Sequence, residues 1–439
     1  MKKAPPTRRG RIVPCLTFVL LKALCSLVVL NFYIGTRLSL EDDVAALLRR
    51  DFANISSSIA IPRDRRRPED APNPNATARD ATAVVRSRED VVAGQMITPR
   101  AADGTLRGKE RLWAMLTSRN ATMKVEASYW DSVPTWDTVV KNIHRGRDAG
   151  SGPVVAGLET CEAFRNATAG APARRRMAPA GLFNTGTNLL SVLLEFNCQN
   201  PHRVAQFKGN AKRGHGNEWE VPWGKHNPAA ARDAHFTKKN LNYGVDDVLP
   251  IVLVRDPFGW MKSMCRHPYA ANWDERRDER CPRLAGGADR PVAVRFGSGT
   301  TRHRSLAHLW NDWYGAYFRG GDGGGDDGQE GRAPFPRLFV RFEDLIFYPE
   351  EVTRRACACA GGVLGHRPDD QDVAAGAFHY VVRSAKAGAG HGPASQRNGL
   401  VDSWIRYGGR DPRDDYAAEE ARAAEALLDP RLVRAFGYG

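Results

Sequence analysis

The sequence predicts an α/β fold, a parallel sheet flanked by helices, and three observations carry the prediction. From about residue 174, short apolar runs bounded by turns alternate with helix-like stretches, as strands joined by crossover helices do. One apolar run is separated from the next helix-like stretch only by the loop in "GLFNTGTNLL", residues 181–190. Another, "PIVLVR", stops at the turn Arg255-Asp256-Pro257, the kind of strand end at which open α/β sheets bind ligands.

In chain order, residues 1–11 are basic, with Lys2, Lys3, Arg8, Arg9 and Arg11. They precede a largely apolar run of 23 residues, 12–34, long enough to cross a bilayer as one helix. A signal peptide is the competing reading, but the length of the run and the lack of a clear small-x-small cleavage site favour an uncleaved anchor. Positive charge stays cytoplasmic, so the expected topology is single-pass type II, with the body of the protein in the Golgi lumen. The sequons at Asn54, Asn75, Asn120 and Asn166 all follow the run, which agrees with a lumenal glycoprotein.

Residues 35–150 read as a stem rich in Arg, Asp, Ala and Pro, with "RRRPEDAPNPNATARDATA" (65–83) the clearest linker. Trp113, Tyr129, Trp130 and Trp136 suggest that its later part folds against the core. Residues 151–439 are the expected catalytic domain. Its expected strands are 177–183, 203–208, 250–255 and 337–342, and its expected helices 188–197, 305–318 and 417–428. Two low-complexity inserts, about 283–300 and 319–334, read as surface loops. Beyond the apolar run lie Cys161, Cys198, Cys265, Cys281, Cys357 and Cys359. An even number suits disulfides in an oxidising lumen. Cys265 with Cys281 is the first expected pair, and "CAC" at 357–359 reads as structural.

The chain carries 64 Lys and Arg against 50 Asp and Glu, which favours an anionic partner. A lumenal body sets nucleic acid aside and leaves an acidic glycan or a phosphorylated cosubstrate. The loop at 181–188 is P-loop-like. Strand, glycine turn and helix start together surround an anion with backbone N–H groups. Gly186 permits close approach, and Thr185, Thr187 and Asn188 add side-chain donors. Thr187 stands where a nucleotide-triphosphate loop has lysine, and no magnesium-holding hydroxyl follows. The loop therefore suits an anion that needs no metal. Arg255 offers a planar fork for a second phosphate, with Ser263 eight residues on adding a hydroxyl.

These segments resemble the sulfotransferases that use 3′-phosphoadenylyl sulfate (PAPS). The match runs through Thr185, Gly186 and Thr187, then Arg255 and Ser263 in an "RDP…S" context, then "LFVRFEDLIFYPEEV" (338–352). It covers roughly residues 175–355 in the family's order. The resemblance implies that 184–188 hold the 5′-phosphate end of PAPS and that Arg255 and Ser263 hold its 3′-phosphate. One departure stands out. The family loop opens on Lys or Arg where this chain has Asn184, so Lys208 or Lys225 is needed to supply the charge. "GKHNP" (224–228) is similar to the family's acceptor-side stretch, which implies that His226 is the general base beside Lys225. Trp219 and Trp223 are candidates to stack on a sugar.

The expected activity is sulfuryl transfer to a hydroxyl acceptor, most readily a glycan, without metal. A lumenal glycosyltransferase fits the topology too. Its only DxD match, Asp370-Gln-Asp372, follows no apolar strand. A degenerate, non-catalytic sulfotransferase-like binder is the other alternative, with Asn184 its best support.

Overall fold

The protein is described here by a computed structural model covering residues 107–119, 130–145, 151–206, 216–238, 243–274, 280–286, 290–319, 335–365, 377–385 and 399–439. The chain divides into two units, Met1–Ala83 and Val84–Gly439, and every described residue lies in the second. The apolar run at 12–34, the sequons at Asn54, Asn75 and Asn120, and Lys208 lie outside the described residues. No helix among the described residues is long and apolar enough to cross a membrane.

The strands are β1 (Val155–Ala156), β2 (Arg176–Gly181), β3 (Cys198–Gln199), β4 (Val248–Val254), β5 (Ala271–Asn272), β6 (Val292–Phe296), β7 (Gly299–His303), β8 (Leu338–Arg341) and β9 (Val363–Leu364). The main sheet has the order β1-β8-β4-β2. β4 pairs in parallel with β2 and with β8, whereas β1 pairs antiparallel with β8. The sheet is thus mixed, correcting the expectation of a purely parallel one: the two-residue β1 joins the edge of β8 from the opposite direction.

β4 is buried along its whole length, "VLPIVLV", the continuous apolar run that a central parallel strand requires. Its alternate residues serve two cores. Leu249, Ile251 and Leu253 face one cluster, and Val248, Val252 and Val254 the other. Helices α1 (Glu110–Thr117), α2 (Trp136–Ile143), α3 (Thr160–Ala167), α4 (Thr187–Asn197), α5 (Pro201–Gln206), α6 (Ala231–Lys238), α7 (Pro257–Arg266), α8 (Leu306–Phe318), α9 (Phe342–Phe347), α10 (Pro349–Cys359), α11 (Leu400–Gly408), α12 (Ala418–Leu427) and α13 (Pro430–Ala435) complete the architecture. The first core takes residues from α1, α2, α4, α9, α10 and α11, and the second from α7, α8, β6, α12 and α13. Of the aromatic residues of the expected stem, Trp130 lies in the first core and Trp113 and Trp136 pack against it, as anticipated, while Tyr129 lies outside the described residues.

Two expected elements differ. Residues 203–208 read as a strand, but 201–206 form α5. Asn200 Oδ1 accepts from the His202 and Arg203 amides, and Pro201 follows it, a helix-start signal stronger than the weak alternation beyond. The insert read as a surface loop at 283–300 contains β6 and the start of β7, a hairpin that carries on to His303 and joins β5 in a small antiparallel sheet. Its second strand, "GTTRH", is mostly exposed and lacks an apolar signature.

Three disulfides tie the layers together: Cys161–Cys359, Cys198–Cys357 and Cys265–Cys281. Cys357 and Cys359 are two apart on α10, so their side chains leave it about 200° apart. One therefore reaches α3 and the other β3. Replacing Cys198 and Cys357 by serine will cost about 2–5 kcal/mol of stability, read as a lower denaturant midpoint in oxidised protein. Equal midpoints for variant and wild type once both are fully reduced would assign the loss to this bridge.

Candidate functional site

The register of the sheet aligns one rim. Gly181 lies opposite Leu253, and Val254 opposite Arg341, so the segments leaving β2, β4 and β8 emerge side by side. The loop 182–186 leaves β2 and feeds directly into α4. Gly186 is the residue before the helix, at φ +84°, and provides no side-chain cap. A Cβ built there would stand 2.4 Å from the Phe342 ring, so only glycine fits beneath that aromatic floor. Asn184, at φ +63°, occupies the left-handed region that asparagine tolerates best among residues with a side chain. Thr185 Oγ1 donates to the Leu182 carbonyl at 2.7 Å and closes the turn. Thr187 is the first residue of α4 and is buried. The loop thus presents an uncapped start of an eleven-residue helix, whose backbone N–H groups and dipole favour an anion.

Arg255 and Ser263 meet this loop through Asn184. Arg255 Nη1 donates to the Asn184 carbonyl at 2.9 Å, and the Asn184 amide donates to the carbonyls of His267 at 2.9 Å and Ser263 at 3.4 Å. Asn184 is therefore a strap between loop and α7, its amide spent on α7. The Arg255 guanidinium carbon lies 4.9 Å from the Phe342 ring centroid and 5.1 Å from that of Tyr407, beside two rings that meet edge to face. Ser263 Oγ accepts from Arg266 Nη2 at 3.1 Å.

Arg266 and Arg406 were not singled out from the sequence. Desolvation first, then the positive charges of Arg406 and Arg255, push the Arg266 guanidinium below its ordinary range. The Arg406 guanidinium carbon is 5.6 Å from the Tyr407 ring. Arg255 and Arg406 share the Tyr407 ring, Arg266 feels the charge of both, and a multiply charged anion among them would relieve that repulsion. Arg266 could have been suspected from its place one turn beyond Ser263. Arg406 and Tyr407, on α11, carry no local signal.

The acceptor-side stretch is held along the outer edge of β2. Met177 N donates to Gly216 O, Glu218 N to Met177 O, Val221 N to Pro179 O and Gly181 N to Lys225 O. Pro179 has no N–H to give, and an irregular edge is where a strand tolerates proline. The last of these bonds fixes Lys225 and His226 at the rim. Lys225 Nζ donates to Asn188 Oδ1 at 3.0 Å and sits 4.9 Å above the Trp219 ring. The cation that the loop lacks at Asn184 thus reaches the start of α4 from Lys225. His226 Nδ1 is 2.7 Å from the Gly181 carbonyl oxygen. A carbonyl only accepts, so in the neutral ring Nδ1 carries the proton and Nε2 is the basic nitrogen.

Aromatic donors lock the backbone around this rim. Trp260 Nε1 donates to Phe183 O at 2.8 Å, Trp310 Nε1 to Arg255 O at 3.2 Å, Trp313 Nε1 to His226 O at 2.9 Å and Tyr314 Oη to Leu253 O at 2.8 Å. Burial holds the Tyr314 phenol well above its ordinary range, so it remains a donor. Of the two tryptophans suggested as sugar platforms, Trp223 is buried and donates to Tyr317 Oη at 2.8 Å. Trp219 is exposed.

Behind Arg255 the Asp256 amide donates to Glu343 Oε1 at 3.1 Å, and Tyr438 Oη donates to Glu343 Oε2 at 2.7 Å. Asp256 caps α7 through Gly259 N and is paired with Arg145. Burial raises the Glu343 carboxyl above the ordinary glutamate range, and Asp256 adds to this against the lowering by Arg341 and Arg255. The folded chain therefore holds this proton more tightly than the unfolded chain, and unfolding releases it. Stability consequently falls as pH rises from the ordinary glutamate value through the raised folded one. Glu343→Gln can keep both hydrogen bonds without titrating. It will flatten that part of the stability–pH curve, measured as denaturant midpoints across the range.

All nine residues singled out from the sequence, Asn184, Thr185, Gly186, Thr187, Asn188, Lys225, His226, Arg255 and Ser263, thus gather at one rim. Among the described residues no group of three or more His, Cys, Asp or Glu could hold a metal ion. The arrangement can hold an anion with phosphate charges at two places, and it can set a base beside the first. No family model, curated protein or solved structure matches the chain.

Proposed function

We propose that the chain is a PAPS-dependent sulfotransferase acting on a hydroxyl acceptor, with a P-loop-like donor site. The observation that carries the reading is Arg255 held against the Asn184 carbonyl of the loop that opens α4, with Arg266 on Ser263 Oγ and Arg406 sharing the Tyr407 ring with Arg255. A carrier with phosphates at both ends of an adenosine matches one cationic cluster and one helix start. The start of α4, with Lys225, would hold the 5′-phosphate end. Arg255, Arg266, Arg406 and Ser263 would hold the 3′-phosphate.

His226 Nε2 takes the acceptor's hydroxyl proton as its oxygen bonds to sulfur. The bond from sulfur to the phosphate oxygen breaks at the same time, and that oxygen keeps the electron pair. Lys225 and the first N–H groups of α4 stabilise the charge gathering there. Electrostatic preorganisation of this kind is the largest contribution available to a site with no covalent step. The three disulfides suit an oxidising compartment. With the basic tail and apolar run of the sequence, they support a type II protein of the Golgi membrane.

The test incubates the full chain with radiolabelled PAPS and a panel of hydroxyl acceptors. Transfer of label supports the reading. Binding of adenosine 3′,5′-bisphosphate without transfer would make the chain a donor-binding relative that has lost turnover. Manganese-dependent transfer from a nucleotide sugar would replace the reading with a glycosyltransferase.

A further inference from the structure

Five large apolar side chains stand exposed among the described residues: Leu158, Val204, Trp219, Tyr269 and Val363. Two are aromatic: Trp219 adjoins Lys225, and Tyr269 is joined to His226 through Phe183. Trp219, 47% exposed, lies under the Lys225 ammonium at 4.9 Å. Tyr269, 53% exposed, stacks on Phe183 with centroids 5.6 Å apart and planes 12° from parallel. Phe183 in turn lies 4.5 Å from the His226 imidazole. An aromatic ring left partly in water gains free energy when covered, and these two are linked through Lys225 and Phe183 to the same Lys225–His226 pair.

The backbone adds an independent sign. Tyr269 has φ +51°, a left-handed conformation that is strained for a bulky residue. Ala271 N donates to Pro268 O at 2.9 Å, and Arg295 N to Ala270 O at 3.0 Å, so the turn is fixed from both sides. Glycine or asparagine would relax it. Keeping tyrosine there holds an aromatic face at the rim at the expense of local strain.

We propose that the acceptor is an oligosaccharide gripped at two aromatic subsites, Trp219 and Tyr269, with the reacting sugar between them at His226. A pyranose ring offers a face of C–H groups that covers an aromatic plane, while its hydroxyls stay in water. Two platforms with a base between them suit a chain of several sugars better than a single ring. The inference rests on the sulfotransferase reading for the role of His226, but sugar binding at the two rings is measurable without turnover.

The experiment is equilibrium binding of the full-length chain to immobilised neutral and uronate-containing β-linked glycans of one, two, four and six sugars. A tyrosine-containing peptide and a simple phenol are run alongside. Binding is expected to strengthen between one and four sugars and then level off. Tyr269→Ala and Trp219→Ala will each weaken tetrasaccharide binding by about tenfold or more, the worth of one aromatic contact. Tyr269→Phe will keep it. Tyr269→Asn will lose binding with no fall in thermal midpoint, since the strain is removed with the ring. Sugar binding untouched by both alanine variants, or capture of the peptide or phenol in preference to every glycan, overturns the proposal. Failure of adenosine 3′,5′-bisphosphate to bind would instead overturn the donor reading, and the glycan result would stand apart from it.

Discussion

His226→Ala will lower kcat by about 10²–10⁴-fold, the worth of one positioned general base. Affinity for adenosine 3′,5′-bisphosphate will stay almost unchanged. The two effects separate because the imidazole touches the rim through the Gly181 carbonyl, whereas the proposed donor cradle would be built from the start of α4 and the arginines. The backbone at 226 does not depend on the ring: Trp313 Nε1 holds its carbonyl at 2.9 Å, and Tyr317 Oη holds that of Asn227 at 3.2 Å. The alanine variant should therefore fold and place Lys225 as before. Single-turnover label transfer with saturating donor reads the chemical step directly, and added imidazole should restore part of the rate by filling the space beside Phe183. An unchanged kcat would remove His226 from the chemistry. A parallel loss of bisphosphate affinity would make it a part of the fold instead.

What was legible in the sequence depended on whether the physics was local. "PIVLVR" announced a buried strand because both faces of β4 meet cores, leaving no polar alternation to confuse the reading. The loop at 181–188 was legible because glycine and threonine between strand and helix have few other uses. Cys265 and Cys281 were legible as a pair at a separation of 16 residues. The bridges of Cys161 and Cys198 to α10 span 198 and 159 residues and depend on how α10 packs. β7 was hidden for a different reason: "GTTRH" buries almost nothing, and its pairing with β6 comes from the backbone. Segment 216–226 showed only its histidine and tryptophans. That it runs beside β2, and so delivers Lys225 to Asn188, is a property of the edge. The role of Asn184 could not be read either, because its partners are carbonyls at the far end of α7.

Arg255→Ala will weaken adenosine 3′,5′-bisphosphate by about 100-fold and leave adenosine 5′-monophosphate nearly unchanged. Two charge-assisted hydrogen bonds from one guanidinium are worth about 3–6 kcal/mol. Part of that is returned, because removing one of three crowded cations relieves the repulsion that Arg266 experiences. A net of about 3 kcal/mol corresponds to the hundredfold stated. The monophosphate comparison isolates the 3′ end, since in the proposed mode the start of α4 and Lys225 would hold the other phosphate. Arg255→Lys will fall between the two, for an ammonium keeps the charge but loses the planar fork and its contacts with the Phe342 and Tyr407 rings. Arg266→Ala and Arg406→Ala will weaken the bisphosphate less, because Arg255 also anchors the loop through the Asn184 carbonyl. That anchoring, unlike the ring contacts, supplies the decisive alternative. If Arg255→Ala weakens mono- and bisphosphate equally, its work is to shape the loop, and the 3′-phosphate is held elsewhere. Calorimetric titration of the two nucleotides into the same variants distinguishes a guanidinium that grips a phosphate from one that props up a turn.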